Sequence, residues 1–515
     1  MGEDKSGELA PGAIIDLDEF TAEPDAVKCV SEEIARKYNV LPLRIRGDRL
    51  YVAMADAKNI RALDDIRFIT KKNVAPLVAP AQQIARAIEN IFYQQRSTKA
   101  LEDLKNEYRG APRDARQDIK KQAAEAESEV SNAPAVRLTN SLLNESVSLS
   151  ASDIHLEPFE DGVRVRYRID GRLAENMSIP PELYSAVSTR IKIMAGMDIA
   201  ERRLPQDGRI EMAIGGGAYD FRVSSLPTVF GEKIEIRKLD RSNFAFERSM
   251  LSFTARENRI IDSVIRAPRG IVLVTGPTGS GKTTTIYSLL NELNRTDKNI
   301  VTIEDPVEYM IRGINQVQVN AKAGLTFAGG LRSILRQDPD IIMVGEIRDE
   351  ETAEIAVRAA ITGHLVLSTL HTNDAPGSIA RMMDMGIQPY LISEAVTCVI
   401  AQRLVRRLCE HCKTEREAAG SELSVLKLNH PVRVYEPAGC PRCNQIGYSG
   451  RRAIHETLYI DSHMKYVIEQ EKSAEKIREM AAGSGMTTLY DDCRSLVLEG
   501  VTSVQEMVNT VYAGE

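Results

Sequence analysis

A glycine-rich octapeptide near the middle of the chain constrains its fold more than any other feature. The octapeptide fits the pattern G-x-x-x-x-G-K-[ST] and consists of Gly276, Pro277, Thr278, Gly279, Ser280, Gly281, Lys282 and Thr283. It lies between the strand-like stretch 271–274 and a helix-like stretch that begins at Thr284. Phosphate-binding loops have this setting because backbone N–H groups and the helix N-terminus face the phosphates. We therefore predict an ATP or GTP site, including Thr284, in which Lys282 contacts phosphate and the Thr283 hydroxyl ligates Mg²⁺.

Two acidic segments downstream of this loop are candidates for the catalytic groups. Glu304 follows the strand-like stretch 300–303, and Glu346 follows the apolar stretch 341–344. Ligands of parallel sheets sit at the carboxyl ends of the strands, so both carboxylates are expected near the phosphates. Either carboxylate alone could instead cap the next helix. With the phosphate loop present, we interpret Glu304, Glu346 and Lys282 as catalytic residues that serve Mg²⁺ and the attacking water.

Two histidines, His364 and His371, bracket a further strand-like stretch. Ser368, Thr369 and Thr372 accompany His371 at the end of that stretch. A lone histidine near a strand usually has a structural role, whereas a polar strand end beside a phosphate loop can sense the γ-phosphate. We predict that the second interpretation applies here.

Four of the seven cysteines form two C-x-x-C pairs, Cys409 with Cys412 and Cys440 with Cys443. Two such pairs supply four thiolates that can surround one ion, which is typical of a structural zinc site without an open coordination position. We predict that Zn²⁺ folds this module and does not catalyse. Cys29, Cys398 and Cys493 are expected to be small core residues.

Composition narrows the class of protein further. The 515 residues carry a formal net charge of −7, and 43% of them are hydrophobic. An acidic balance argues against a protein that coats nucleic acid. No apolar run approaches the roughly 20 residues that span a bilayer, and the first residues are polar and acidic, unlike a secretory signal. We expect a cytoplasmic protein that meets membranes through partners.

The domain organisation follows from shifts in pattern along the chain. The apolar runs at 271–274, 341–344 and 365–367, separated by helical stretches, are typical of an α/β fold with a parallel sheet covered on both faces. The stretches 163–169, 219–224 and 233–239 alternate between apolar and polar residues, as half-exposed strands do. The predicted regions are a tail at 1–25, a small domain at 26–93, a charged helical linker at 94–132, an alternating-strand domain at 133–242, the nucleotide domain at 243–400, the cysteine module at 401–455 and a helical region at 456–515.

From about residue 133 to its end, the chain resembles the secretion ATPase family that powers type II protein secretion and type IV pilus assembly. Four motifs occur in the family's order: the phosphate loop, an acidic "Asp box" at 304–308, an atypical Walker B segment that ends in Glu346, and a "His box" with His364 and His371. The resemblance implies a hexameric ring ATPase with a RecA-like P-loop domain preceded by a PAS-like α+β domain. It also implies that Glu304 polarises the attacking water and that Glu346 serves Mg²⁺.

The same resemblance implies cationic groups and partners. The positions that match the family's phosphate-reaching arginines are Arg222, Arg237, Arg332, Arg336 and Arg348. The implied partners are an inner-membrane platform protein and, for the small first domain, a membrane-anchored docking partner. The cysteine module is similar to that of secreting or assembling members. Some relatives carry an N-terminal repeat with an Arg-Leu-Gly signature that binds a cyclic dinucleotide; we find none, so such regulation is not supported. A nucleic-acid translocase on the same fold is the alternative function.

Overall fold

The computed structural model describes residues 12–17, 20, 22–110, 134–215, 217–240, 247–471 and 473–511. The chain divides into two compact units, Met1–Asn243 with Cys440–Gln445, and Phe244–Gly439 with Ile446–Glu515. Among the described residues, no helix is both long enough and apolar enough to cross a membrane.

The first unit begins with a small domain built on a three-stranded sheet. Its elements are α1 (Pro24–Val27), α2 (Glu32–Tyr38), β1 (Val40–Arg46), β2 (Arg49–Met54), α3 (Ile60–Thr70), β3 (Asn73–Val78) and α4 (Ala81–Gly110). The sheet order is β1-β2-β3, with β1 antiparallel and β3 parallel to β2. The small domain begins earlier than predicted, because Ile14 forms a parallel bridge with Val78 and Leu17 is buried. Residues 12–17 therefore do not belong to a tail.

Helix α4 crosses the predicted boundary between the small domain and the linker at residues 93 and 94. It is a helix as expected, but Ala100 and Leu101 are buried in the core of the following domain. The sequence interpretation was wrong to treat this stretch as wholly solvated, because two small or apolar side chains suffice to dock one face of a charged helix. The rest of the predicted linker, residues 111–132, lies outside the described residues.

The following domain is α+β, as predicted. Its elements are α5 (Pro134–Ser148), β4 (Asp153–Pro158), β5 (Val163–Ile169), β6 (Arg172–Ile179), α6 (Pro181–Met194), β7 (Gln206–Ile214), β8 (Gly217–Thr228) and β9 (Gly231–Asp240). The strands form an antiparallel sheet in the order β6-β5-β4-β9-β8-β7. Alternate residues such as Val163, Val165 and Tyr167 enter the core, and the arginines between them lie on the other face, as a period of two requires.

The second unit is built on a seven-stranded sheet. Its elements up to the last strand are α7 (Ala255–Ile265), β10 (Gly270–Thr275), α8 (Lys282–Leu293), β11 (Ile300–Glu304), β12 (Asn315–Gln318), α9 (Phe327–Ile334), β13 (Ile341–Val344), α10 (Glu350–Ile361), β14 (Leu365–Leu370), α11 (Ala375–Asp384), α12 (Pro389–Ala395), β15 (Val396–Leu408), β16 (Lys413–Glu417), α13 (Gly420–Val425), β17 (Arg433–Pro437) and β18 (Tyr448–Tyr459). The order is β12-β11-β13-β14-β10-β15-β18, and only β18 is antiparallel to its neighbour.

Both faces of this sheet are covered, as the continuous apolar strands predict. Ile271 and Leu273 enter one hydrophobic cluster, whereas Val272 and Val274 enter another. The strands β16 and β17 form a separate two-stranded sheet between β15 and β18. In the described part of the chain, four helices follow β18: α14 (Ser462–Glu471), α15 (Ala474–Gly483), α16 (Leu489–Leu498) and α17 (Val504–Val511). The boundary expected at residue 400 falls inside β15, so the cysteine segment is an insertion between two strands of the nucleotide domain.

Candidate nucleotide site and cysteine cluster

The predicted phosphate loop connects the central strand β10 to helix α8, which confirms the strand–loop–helix setting. Gly276, Gly279 and Gly281 have φ values of 147°, 82° and 90°, a region that side chains rarely adopt. A Cβ atom on Gly276 would also lie 2.5 Å from the carbonyl oxygen of Gln402. Glycine is therefore required here by backbone conformation and by close packing. Thr283 and Thr284 are exposed at the start of α8, where a hydroxyl can reach a metal ion beside the phosphates.

Lys282 folds back onto its own loop. Its Nζ donates hydrogen bonds to the carbonyl oxygens of Gly276, at 2.6 Å, and Pro277, at 3.1 Å. The pKa of Lys282 is lowered to about 8 overall: burial lowers it most, the charge of Glu346 raises it, and the charge of Arg403 lowers it. The ammonium thus stands where phosphate oxygens can replace two carbonyl acceptors, and a polyphosphate favours its charged form.

Gln402 on β15 clamps the phosphate loop, and sequence reasoning missed it. Its Nε2 donates to the Ser280 carbonyl oxygen at 2.8 Å, and its Oε1 accepts from the Thr285 hydroxyl at 2.6 Å. Gln402 is 1% exposed, so both ends of its amide are satisfied inside the protein. More than a hundred residues separate it from the loop, and no signal in a single sequence links the two.

Glu346 lies just beyond β13, where it was predicted, and meets two other predicted residues. Arg348 Nη2 lies 2.5 Å from Glu346 Oε1, and His371 Nε2 lies 3.2 Å from Glu346 Oε2. The hydrogen bond to Glu346 raises the pKa of Arg348. These contacts place Glu346, His371 and Arg348 in one cluster. The cluster lies beside the phosphate loop, because the charge of Glu346 also raises the pKa of Lys282.

Glu304 ends β11 and is only 3% exposed. Three donors satisfy its carboxylate: the Thr302 hydroxyl at 2.7 Å and the Gln316 amide at 3.1 Å, both to Oε1, and the Tyr287 hydroxyl to Oε2. Tyr287, Thr302 and Gln316 were not predicted as site residues. Tyr287 lies on the buried face of a helix, where a sequence pattern predicts a core residue. Gln316 comes close to Glu304 because β12 pairs with β11, and no local sequence pattern predicts that pairing.

The sheet order brings these acids to the same edge. The loop follows β10, Glu346 follows β13 and Glu304 ends β11, all at the carboxyl ends of parallel strands. At about 4.8 Å per strand, β13 lies two spacings and β11 three spacings from β10. In strand order, Glu346 is therefore nearer than Glu304 to the phosphate loop. Glu304 is linked to α8, the helix that follows the loop, by its hydrogen bond from Tyr287.

Of three further residues predicted for the site, His364 is not brought to the loop, and the two arginines, Arg332 and Arg336, make contacts within their own surroundings. His364 lies at the opposite end of β14, because Leu365 pairs with Gly270 while Leu370 pairs with Thr275, and its Nδ1 is 2.9 Å from the Ala359 carbonyl oxygen. Arg332 forms an ion pair with Glu351 at 2.5 Å. Arg336 donates to the carbonyl oxygen of Arg332 and to the Ser333 hydroxyl. His364 and His371 lie at opposite ends of β14, so the length of this strand separates them. Of the two histidines, His371 contacts Glu346.

The remaining two arginines lie in the antiparallel sheet of the first unit. Arg222 on β8 pairs with Arg209 on one side and with Arg237 on the other. Arg237 in turn pairs with Asp153, whose other neighbour in register is Arg168. We call these five residues the arginine row. Arg237 Nε donates to Asp153 Oδ1 at 2.8 Å. Although burial disfavours the charge of Asp153, hydrogen bonds from Arg237 and Ser152 and the nearby arginines lower its pKa overall.

The four paired cysteines lie together, as their spacing predicts. Cys409, Cys412, Cys440 and Cys443 each offer a sulfur atom, and all four sulfurs are within 4.8 Å of one another. The Sγ atoms of Cys440 and Cys443 are 3.8 Å apart. Sulfurs about 2.3 Å from a tetrahedral zinc would be separated by roughly 3.8 Å, so the set fits this ion. Cys398 and Cys493 are buried core residues, as predicted, and Cys29 is partly buried.

Comparisons with known proteins agree with this arrangement. A family model described as "Type II/IV secretion system protein" matches residues 128–509, and one described as "MshEN domain" matches residues 11–98. The type IV pilus assembly ATPase PilB of Myxococcus xanthus is 46% identical over 500 residues, 96% of this chain and 88% of the relative. The type II secretion system protein E of Pseudomonas aeruginosa is 50% identical over 379 residues, 73% of this chain and 75% of the relative. A solved structure of the pilus retraction motor PilT with bound ADP has a TM-score of 0.50 and 27% identity, covering 72% of this chain and 95% of that chain.

Proposed function

The chain belongs to the type II/IV secretion system protein family, and on that premise we propose that it is an ATPase motor for type IV pilus assembly. Its hydrolysis of ATP would drive an inner-membrane platform protein from the cytoplasmic side. The arrangement of Lys282, Glu346 and Glu304 at one sheet edge carries the enzymatic part of the proposal. The family match and the similar solved structure confirm the resemblance and the RecA-like α/β fold inferred from the sequence.

The choice of pilus assembly over type II secretion depends on the first domain. The pilus assembly relative aligns over 96% of the chain, whereas the secretion relative aligns over 73%. The small domain therefore has a counterpart in the pilus assembly relative, and we propose that it docks on a membrane-anchored partner. The named relatives serve pili or secretion, so no observation favours the alternative of a nucleic-acid translocase.

The proposed reaction uses the groups at the sheet edge. Backbone N–H groups of the loop and Lys282 would bind the phosphates of ATP, the Thr283 hydroxyl would ligate Mg²⁺, and Glu346 would serve that ion. Glu304 accepts a proton from water as the water oxygen bonds to the γ-phosphorus. The bond from that phosphorus to the bridging oxygen breaks, and ADP leaves with phosphate as the second product. His371 and Arg348 hold Glu346 from its two oxygens.

The family resemblance assigns two further cationic groups to the reaction. We propose from it that Arg222 and Arg237 act on the charge that develops on the phosphates in the transition state. Both belong to the arginine row, in which Arg237 also holds Asp153. The assignments of Arg332, Arg336 and His364 stay predictions, and they would require sites formed with a neighbouring subunit of a hexamer.

ATP turnover per chain, measured as a function of protein concentration, tests the proposal. Lys282→Ala serves as the blank, since it removes the ammonium that contacts the phosphates. We expect turnover per chain to rise with concentration and to vanish in the variant, because a ring motor completes its site between subunits. A Lys282→Ala variant with full turnover would contradict the proposed site. Turnover independent of concentration would contradict the ring.

We also propose that the cysteine cluster holds one structural Zn²⁺ per chain. The four thiolates would fill its coordination sphere and leave no position for a substrate. Metal analysis of the purified chain should give about one zinc per chain, and Cys409→Ser with Cys412→Ser should remove it and lower the melting temperature. The matched control is Cys493→Ser, a buried cysteine outside the cluster, which should keep the zinc. Freshly purified protein without zinc would overturn this assignment.

A further inference from the structure

Glu304 is held by side chains that neither the sequence nor the comparisons assign to the reaction. An ionised carboxylate only accepts hydrogen bonds and has about four acceptor positions. Tyr287, Thr302 and Gln316 fill three of them. Among the described residues, these three donors leave one acceptor position of the carboxylate, on Oε2, where the proton of a water molecule can be accepted.

Tyr287 connects this carboxylate to the phosphate loop. It is the sixth residue of α8, the helix whose first residue is Lys282. A helix rises about 1.5 Å per residue, so its hydroxyl group is carried by a rigid element roughly 7.5 Å along the axis from the phosphate-binding lysine. The tyrosine is fully buried, and its ring packs edge-on against Tyr309 at 6.3 Å. The burial and the neighbouring charge of Glu304 raise its pKa, so the hydroxyl stays a donor.

Gln316 and Tyr287 also fix the loop that follows Glu304. The Tyr287 hydroxyl accepts from the Glu308 N–H at 3.3 Å. The Gln316 amide donates to the Tyr309 carbonyl oxygen at 3.0 Å, and its Oε1 accepts from the Ile311 N–H at 2.7 Å. The same two side chains therefore order both the carboxylate and the loop of the Asp box.

We propose that Tyr287 and Gln316 are positioning residues that aim the carboxylate of Glu304, and that α8 couples this aim to phosphate binding. The inference rests on the proposed role of Glu304 as the base. Each donor occupies one acceptor position of the carboxylate, so loss of either donor leaves the carboxylate freer to rotate away from the water molecule. A purely structural role would lower the melting temperature but would leave kcat of the folded protein unchanged.

The test is a measurement of kcat and KM for ATP hydrolysis by the full chain, together with thermal unfolding, with Tyr287→Phe and Gln316→Leu as variants. Loss of one donor should lower kcat by about tenfold to hundredfold, part of what a positioned base contributes. KM for ATP should change less than about twofold. A loss confined to kcat, with KM for ATP and the melting temperature retained, is the expected result for a positioning residue; unchanged kcat in both variants would overturn the inference.

Controls separate this inference from the proposed function. Tyr490→Phe removes a tyrosine hydroxyl that donates to the Val425 carbonyl oxygen at 2.8 Å in the same unit, and it should keep kcat. If Glu304→Gln abolishes turnover while both test variants behave like Tyr490→Phe, the positioning role is wrong and the base stands. If Glu304→Gln keeps full turnover, the base assignment fails and the inference with it. Should Tyr287→Phe not fold, Gln316→Leu on the edge strand β12 carries the decision.

Discussion

The two large sheets of this protein place their polar groups in opposite ways. In the parallel sheet, strands such as β10 and β14 are buried along their whole length, and the chemical groups follow the strand ends. In the antiparallel sheet, one face is apolar and the other carries Asp153, His155 and Glu157 on β4 with arginines on both sides. A site at a sheet edge depends on loop geometry, whereas a charged face depends on strand register. The proposed motor uses both kinds of feature: a site at the edge of the parallel sheet and a charged face of the antiparallel sheet.

The largest expected effect is at the edge of the parallel sheet. Glu304→Gln keeps the size of the side chain but removes the proton acceptor, and it places an amide among the three donors. We expect turnover to fall by about a hundredfold to ten-thousandfold, the range of general base catalysis. A time course of phosphate release measures the rate of ATP hydrolysis. A titration with a fluorescent nucleotide should show that nucleotide binding is retained. A variant that lost nucleotide binding instead would make Glu304 a structural residue.

A smaller effect is expected from the face of the antiparallel sheet. Arg237→Gln breaks the middle of the arginine row, and we expect kcat/KM for ATP to fall roughly tenfold to hundredfold, since a charge-assisted hydrogen bond contributes about 1.5–3 kcal/mol. Arg164→Gln is the matched control, because Arg164 belongs to the same sheet but pairs with Glu157 in another register row. Equal effects in the two variants would mean that the face acts through stability alone, and thermal unfolding would show it.

The smallest effect concerns the protonation of Lys282. Its pKa of about 8 means that the ammonium loses its proton as the pH rises from 7 to 9 in the nucleotide-free protein. Phosphates favour the charged form, so nucleotide binding should take up a proton above pH 8, and affinity should fall by at most about tenfold per pH unit. Calorimetry of ADP binding in buffers of different ionisation enthalpy measures this uptake. Binding at pH 9 without proton uptake would show that the lysine stays charged.

Local patterns predicted the elements on which these sites stand. The strand at 341–344 and the alternating strand at 163–169 coincide with β13 and β5, because burial on two faces and burial on one face leave distinct sequence periods. Domain boundaries were less predictable. Helix α4 passes through residue 93 and β15 passes through residue 400, since a boundary reflects packing between distant segments.

The phosphate loop, the two acids and the cysteine spacing were determined by the sequence alone, because each is a short segment whose chemistry depends on neighbours a few residues away. The partners of these groups were decided by the tertiary structure. Gln402 reaches the loop from β15, Gln316 reaches Glu304 from β12, and His364 is carried away from the edge by the length of β14. Such contacts arise from the order and register of strands, which depend on packing across the whole sheet and leave no local mark in the chain.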